Sequence, residues 1–236
     1  MKKIKKFILD LLFPPKCAGC QKEGEYICED CKLFLGEASL ICPYCRQPSF
    51  SGERHERCST KHGLDGLACV WEYEGVIKNL IYKIKKEKVT DAISFFAEIS
   101  LNAILKDPAR FFCFLRFLFE KRPCLTFVPL SPKKEKKQGF NHSELMAKEL
   151  ERLLGLKVLP LLGRTKETEA QSDISKEKRA DNIKGVFSVL DGKIIPKNVV
   201  LVDDFWISGT TMQECCRMLK EAGAEAVWGL AFGLIP

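Results

Sequence analysis

Val199-Val200-Leu201-Val202-Asp203-Asp204-Phe205-Trp206-Ile207-Ser208-Gly209-Thr210-Thr211 carries the clearest pattern of the chain. Its first four residues are apolar and mostly β-branched, which predicts a buried strand over 199–202. Two adjacent acids follow where the strand should end. A short turn then leads to Ser-Gly-Thr-Thr, and a helical pattern runs over 212–222. Such a loop aims backbone N–H groups and hydroxyls at an anion, and the helix dipole favours negative charge there. Two carboxylates beside a phosphate cradle suit a ligand with both a phosphate and a diol, such as a phosphorylated ribose. The plainer alternative is a β–α turn with Ser or Thr capping the helix. Capping alone needs neither a paired Asp-Asp nor the Gly.

Working outward, apolar segments alternate with helical ones. Residues 67–73 read as a strand, 76–88 as a basic amphipathic helix, and 92–105 as a helix broken at Asp107-Pro108. Residues 125–130 read as a short buried strand closed by Pro129, and 144–154 as a helix. Residues 158–162 and 227–232 are further apolar strands. The alternation predicts an α/β fold with a parallel sheet flanked by helices. In such sheets ligands bind at the carboxyl ends of the strands, where Asp203 and Asp204 fall. The segment 129–142 carries Lys133, Lys134, Lys136 and Lys137 on an expected loop after a strand. It can neutralise a polyphosphate, or it is a solvated charge run. A polar stretch holding Arg164, Gln171, Arg179, Asn182 and Phe187 lies between two strands and reads as a mobile flap over the site.

The chain has 236 residues, enough for one sizeable domain and a small module. Its apolar fraction of 46% argues against disorder, and its net charge of +7 favours polyanions as partners. No segment reaches the ~18 continuous apolar residues of a membrane helix. The N-terminus superficially resembles a signal peptide, but its apolar stretch 7–13 contains Asp10 and no small-residue cleavage site follows. We read residues 1–16 as a short amphipathic helix stopped by Pro14-Pro15. The run 111–119 contains Arg116 and reads as a packed helix face.

Twelve cysteines are unevenly spread, with seven in the first 58 residues. Cys17/Cys20, Cys28/Cys31 and Cys42/Cys45 share the C-x2-C spacing, and His55-Glu-Arg-Cys58 supplies a further half-site. That spacing points two thiolates at one tetrahedral ion, and two such pairs complete a structural zinc site. Sequential pairing gives one site from Cys17, Cys20, Cys28 and Cys31 and a second from Cys42, Cys45, His55 and Cys58. A last pair of Cys58 and His62, and a cross-braced pairing, remain as alternatives. A module this small draws its folding energy from the metal. Reduced, metal-loaded thiols point to the cytoplasm. Cys69, Cys113, Cys124, Cys215 and Cys216 have no partner spacing and read as small core or helix residues.

The acid pair and its loop resemble the signature of the type I phosphoribosyltransferases. The resemblance implies that Asp203 and Asp204 bind the ribose of phosphoribosyl pyrophosphate (PRPP), and that Ser208, Gly209, Thr210 and Thr211 hold its 5′-phosphate. Nearly the whole chain is similar to one branch, the ComF family, which joins an N-terminal double zinc ribbon to a PRPP-binding domain. The matching motifs are Val128-Pro-Leu130, Gly139-Phe-Asn141, Gln171…Arg179-x-x-Asn182…Phe187 and Asp203-Asp204. The implied division is a helix at 1–16, a double zinc-ribbon module at 17–62 and a phosphoribosyltransferase-like domain at 63–236. Departures from the family pattern are Gln138 and Lys134 for arginines, His142 for a glutamine, His55 for a zinc cysteine, and the bulky Phe205 and Trp206 after the acids. Ile207 stands where a hydroxyl residue is common.

The implied chemistry is displacement at the ribose anomeric carbon, with pyrophosphate leaving on Mg²⁺ that arrives with PRPP. Lys133, Lys134 and Lys137 would offset the charge of the leaving group. The family is associated with uptake of single-stranded DNA during natural transformation, alongside a helicase-like partner. A second class of function therefore has the basic stretches 2–6, 78–88 and 133–137 binding DNA or that partner. The stacking aromatics of a single-strand binder would come from Trp71, Tyr73 and Tyr82, although alternation equally allows Trp71 and Tyr73 to be core. A scaffold with neither activity is the third reading.

Overall fold

The computed structural model describes residues 14–165 and 183–235. Most of the expected helix over 1–16, the basic stretch 2–6, and the Gln171, Arg179 and Asn182 part of the expected flap lie outside the described residues.

A single helical turn, α1 (Glu29–Lys32), follows the first cysteine pair. Strand β1 (Gly66–Glu72) leads into α2 (Gly75–Lys86), α3 (Asp91–Lys106) and α4 (Phe112–Lys121). Then come β2 (Cys124–Phe127), α5 (Pro132–Gln138), α6 (His142–Leu154) and the short strands β3 (Leu162–Arg164) and β4 (Phe187–Val189). The chain closes with β5 (Asn198–Trp206), α7 (Thr210–Glu221) and β6 (Ala226–Leu234). The main sheet has the order β1-β6-β5-β2, and all its pairings are parallel. The α/β sheet flanked by helices expected from the sequence is therefore present.

The sheet is buried on both faces because its strands are apolar at successive positions rather than alternate ones. Val200, Val202 and Leu230 face one core with α2, α3, α4 and α6, including Ile77, Leu80, Ile84, Phe96 and Met146. Val199, Leu201 and Val227 face the other core with α7 and the β3–β4 hairpin, including Met212, Cys216, Leu162 and Phe187. Burying one large side chain of this kind contributes about 1.5–3 kcal/mol. Cys69, Cys113, Cys215 and Cys216 are buried in these cores, and all twelve cysteines are free thiols.

Three sequence expectations need correction. Strand β5 does not stop before the acids: Asp203 pairs with Ala231, Phe205 with Gly233 and Trp206 with Leu234. Gly233 makes room for Phe205, whose ring would lie 2.8 Å from any Cβ there. The segment 129–142 is not a loop throughout, since its lysines lie on α5. Ser131 caps that helix by accepting from Lys134 N–H, Pro132 fits its first turn, and Gly139 (φ 91°) ends it. Residues 158–162 do not form a strand of the main sheet. Val158 makes an isolated bridge to Leu125, Pro160 has no N–H to continue the ladder, and Leu162 pairs with Val189 instead.

The cysteine-rich segment packs on the open edge of the sheet. Ala38 N–H donates to Val70 O (3.0 Å) and Glu72 N–H to Gly36 O (2.8 Å), so β1 is covered along its outer side. Ser51 Oγ accepts from Cys113 N–H (2.8 Å). Gly52 approaches β1 so closely that a Cβ would fall 2.1 Å from Leu67 O.

Candidate functional site

The acids sit where β5 passes the first turn of α6. Asn141 caps α6, accepting from Ser143 N–H and Glu144 N–H, and its Nδ2 donates to Val128 O (3.0 Å). That bond ties the helix start to the end of β2. It brings Ser143 Oγ to Asp203, where the hydroxyl donates to Oδ1 at 2.8 Å; Asp204 N–H donates to the same oxygen at 2.9 Å. Burial, and then the neighbouring Asp204 charge, push the Asp203 carboxyl up to about 7. Asp204 forms an ion pair with Lys85, from the last turn of α2. Lys85 Nζ also lies 4.3 Å from the centroid of the Phe205 ring, which meets Tyr73 edge-on at 4.5 Å.

On the other side of the strand end, Gly209 caps α7 in the left-handed conformation (φ 79°). A Cβ there would lie 2.2 Å from the Trp206 indole, so only glycine fits this turn. Ser208 and Thr210 hydroxyls lie 3.0 Å apart. The first N–H groups of a helix have no intrahelical partner, so the start of α7 offers donors.

Both halves open onto one cavity of about 580 Å³. Asp203, Asp204, Ser208, Gly209 and Thr211 line it, as do Lys134 and Lys137. Thr210 faces a different cavity, and Lys133 is exposed on α5 and does not line this one. Arg164, expected on the flap, lines the cavity too, and Lys85, Lys86 and Lys88 add cations that the sequence does not assign to this site. Three buried polar atoms have no hydrogen-bond partner among the described residues: Gln138 Oε1, His142 Nε2 and Trp206 Nε1. All three residues line this cavity. An unpartnered buried polar atom costs about 1–3 kcal/mol, which natural structures rarely leave unexplained. Burial also holds the His142 imidazole below its ordinary value, against the pull of Asp204.

The cysteine pairs form two compact groups. The ligand atoms of Cys17, Cys20, Cys28 and Cys31 lie within 4.8 Å of one another, as do those of Cys42, Cys45, His55 and Cys58. Each group can hold a metal ion, and His62 belongs to neither; its Nδ1 lies 3.7 Å from Glu221. The two first knuckles repeat one geometry. Gln21 N–H donates to Cys17 O and Arg46 N–H to Cys42 O, with Gln21 (φ 65°) and Arg46 (φ 62°) both left-handed. His55 Nδ1 lies 3.4 Å from Cys45 Sγ while its Nε2 is 3.1 Å from Pro48 O. Donation from Nε2–H to that carbonyl leaves the Nδ1 lone pair for an ion, the usual arrangement of a metal-binding imidazole. In the first group, burial pushes the Cys17 thiol up, but backbone N–H groups of Cys28, Cys20 and Gly19 outweigh it and bring it to about 6. Cys31 moves the other way, to about 12, through burial and its neighbouring thiols. Four thiolates this close need a cation to ionise together.

Trp71 is core: it is buried, and its Nε1 donates to Ser100 Oγ at 2.8 Å. Tyr82 is exposed on α2. No helix among the described residues is long and apolar enough to cross a membrane.

No family model matches the chain. It is 34% identical to Competence protein F of Haemophilus influenzae, over 91% of this chain and 89% of that protein. It is 26% identical to DNA utilization protein YhgH of Escherichia coli, over 89% and 85% of the two chains. It is also 26% identical to Competence protein ComFC of Streptococcus pneumoniae, over 88% and 87%. With relatives of these names aligned along nearly its whole length, together with its paired cysteine groups and parallel α/β sheet, the chain belongs to the ComF family.

Proposed function

We propose that the cavity is a phosphoribosyl site for PRPP, in a protein that serves uptake and processing of single-stranded DNA during natural transformation. The observation that carries this reading is the paired carboxylate of Asp203 and Asp204 sharing one cavity with the Ser208–Gly209 turn, Thr211 and several cations. Asp203 and Asp204 would hold the two ribose hydroxyls. Ser208, Gly209 and Thr211, with the backbone N–H of Thr210, would take the 5′-phosphate, and Lys134 and Lys137 the pyrophosphate, while Lys133, off the cavity, would add only longer-range positive charge. Mg²⁺ would come with the substrate and keep several waters. The transfer itself forms a bond from an acceptor to the anomeric carbon and breaks the carbon–oxygen bond to pyrophosphate. Such a step needs positioning and charge stabilisation rather than a covalent protein group. Residues 17–62 would form a module holding two zinc ions, with 63–236 the ligand-binding domain.

The competence and DNA-utilization names of the relatives support the cellular role. A non-catalytic DNA- or protein-binding scaffold on the same fold is the second reading. It is favoured by the cationic end of α2, where Lys83, Lys85 and Lys86 share the last turn. Calorimetric titration with PRPP and Mg²⁺ tests the first reading: wild type binds, and the Asp203→Asn/Asp204→Asn variant does not. A folded wild type that takes no PRPP moves the weight to the scaffold. Fluorescence anisotropy with single-stranded DNA tests the second, since phosphate-driven affinity falls steeply with salt.

A further inference from the structure

Resting on the phosphoribosyl reading of the cavity, we propose that Lys85 makes the site select ligands with an anionic group at the anomeric carbon over ribose 5-phosphate. Lys85 comes from α2, at the other end of the sheet order from the lysines of α5. It forms an ion pair with Asp204, and its ammonium rests on the Phe205 ring 4.3 Å from the centroid. The pair is largely sheltered, with the Asp204 side chain 15% exposed and that of Lys85 32%. A diol that donates hydrogen bonds to the Asp204 carboxylate competes with this ammonium. The lysine must then find another anion or remain in a cavity already lined by Lys86, Lys88, Lys134 and Lys137.

A ligand bearing pyrophosphate supplies that anion beside the diol. Lys85 can pass from carboxylate to phosphate without losing an ionic partner, because its stem is flexible and its charge is a compact point. Ribose 5-phosphate offers the diol and the distal phosphate but no second anion, so its binding breaks the Lys85–Asp204 pair without a replacement. Phe205 holds the ammonium near both positions, since a ring face attracts a cation whichever anion it serves. The bulk of Phe205 after the acid pair thereby acquires a purpose: it is the seat on which the lysine turns.

The test is calorimetric. Dissociation constants for Mg²⁺-PRPP and for ribose 5-phosphate are measured with wild type, Lys85→Met and Lys85→Arg. In Lys85→Met, PRPP binding weakens by about tenfold or more, while ribose 5-phosphate binding is unchanged or tighter. In Lys85→Arg the wild-type preference is largely kept. Equal weakening of both ligands in Lys85→Met, or no change in either, overturns the proposal. Circular dichroism and metal content of each variant verify folding. Should Lys85→Met fail to fold, Lys85→Gln supplies the same comparison. A wild type that binds neither ligand instead refutes the phosphoribosyl reading, so the two failures are distinguishable.

Discussion

Replacing Asp203 by Asn should stabilise the protein while abolishing the proposed PRPP binding, and the gain should grow with pH. Asn keeps an Oδ1 that can accept from the Ser143 hydroxyl and from Asp204 N–H, so the local geometry survives. What disappears is a half-buried negative charge beside a second one. Burial and the Asp204 charge raise the Asp203 carboxyl from 3.8 to about 7. A raised carboxyl means that the folded protein binds the proton more tightly than the unfolded chain does. Stability is therefore unaffected below pH 3.8, falls as pH rises through the unfolded value, and levels off above about 7. At roughly 1.4 kcal/mol per tenfold change in proton affinity, the penalty is about 1–2 kcal/mol at pH 5 and approaches about 4 kcal/mol at pH 8. The pair shares its charge, so the pH 8 figure is a ceiling, and we expect Asp203→Asn to gain about 2–4 kcal/mol there. Urea unfolding of the zinc-loaded proteins at both pH values measures this directly. For a chain of this length each kcal/mol also moves Tm by about 2–4 °C. A variant no more stable than wild type at pH 8, or one with the same gain at pH 5 and pH 8, refutes the reasoning.

Other consequences can be checked with single substitutions. Cys28→Ser should lower bound zinc from two ions to one by elemental analysis and expose the N-terminal region to protease; unchanged zinc would reject the grouping of Cys17, Cys20, Cys28 and Cys31. Gly209→Ala should destabilise the fold by at least about 2 kcal/mol in urea unfolding, since it adds a left-handed Ala conformation to an overlap with Trp206 at 2.2 Å. Trp71→Phe loses the bond to Ser100 and should cost about 1–2 kcal/mol while leaving affinity for single-stranded DNA unchanged. A fall in DNA affinity with unchanged stability would place Trp71 in a binding surface instead.

What the sequence made legible is what is local. Val199, Val200, Leu201 and Val202 announce a strand buried on both faces, and the strand is there. The C-x2-C spacings mark knuckles whose turn geometry lies within six residues of chain, and the two groups assemble in the order of the sequence. What was missed depends on partners distant in sequence. Strand β5 runs through the acids because Gly233 and Leu234 of β6 are there to pair with Phe205 and Trp206. Nothing near Asp203 names Ser143 as its hydrogen-bond donor, and nothing near Asp204 names Lys85. The helix α5 was legible in principle, since Ser131, Pro132 and Gly139 are start and stop signals, but the run of lysines between them reads first as a solvated loop. The unpartnered atoms of Gln138, His142 and Trp206 fall at three of the positions that depart from the family pattern, so those departures gather in one cavity.

In the proposed site, Asp203, Asp204 and the loop over 208–211 receive a phosphorylated ribose. A crystal structure of the zinc-loaded protein with Mg²⁺ and PRPP tests it most directly. The two ribose hydroxyls are expected within hydrogen-bond distance of the Asp203 and Asp204 carboxylates and the 5′-phosphate on the N–H groups of residues 208–211. PRPP bound elsewhere, or bound in this cavity with its ribose turned away from both acids, would contradict it.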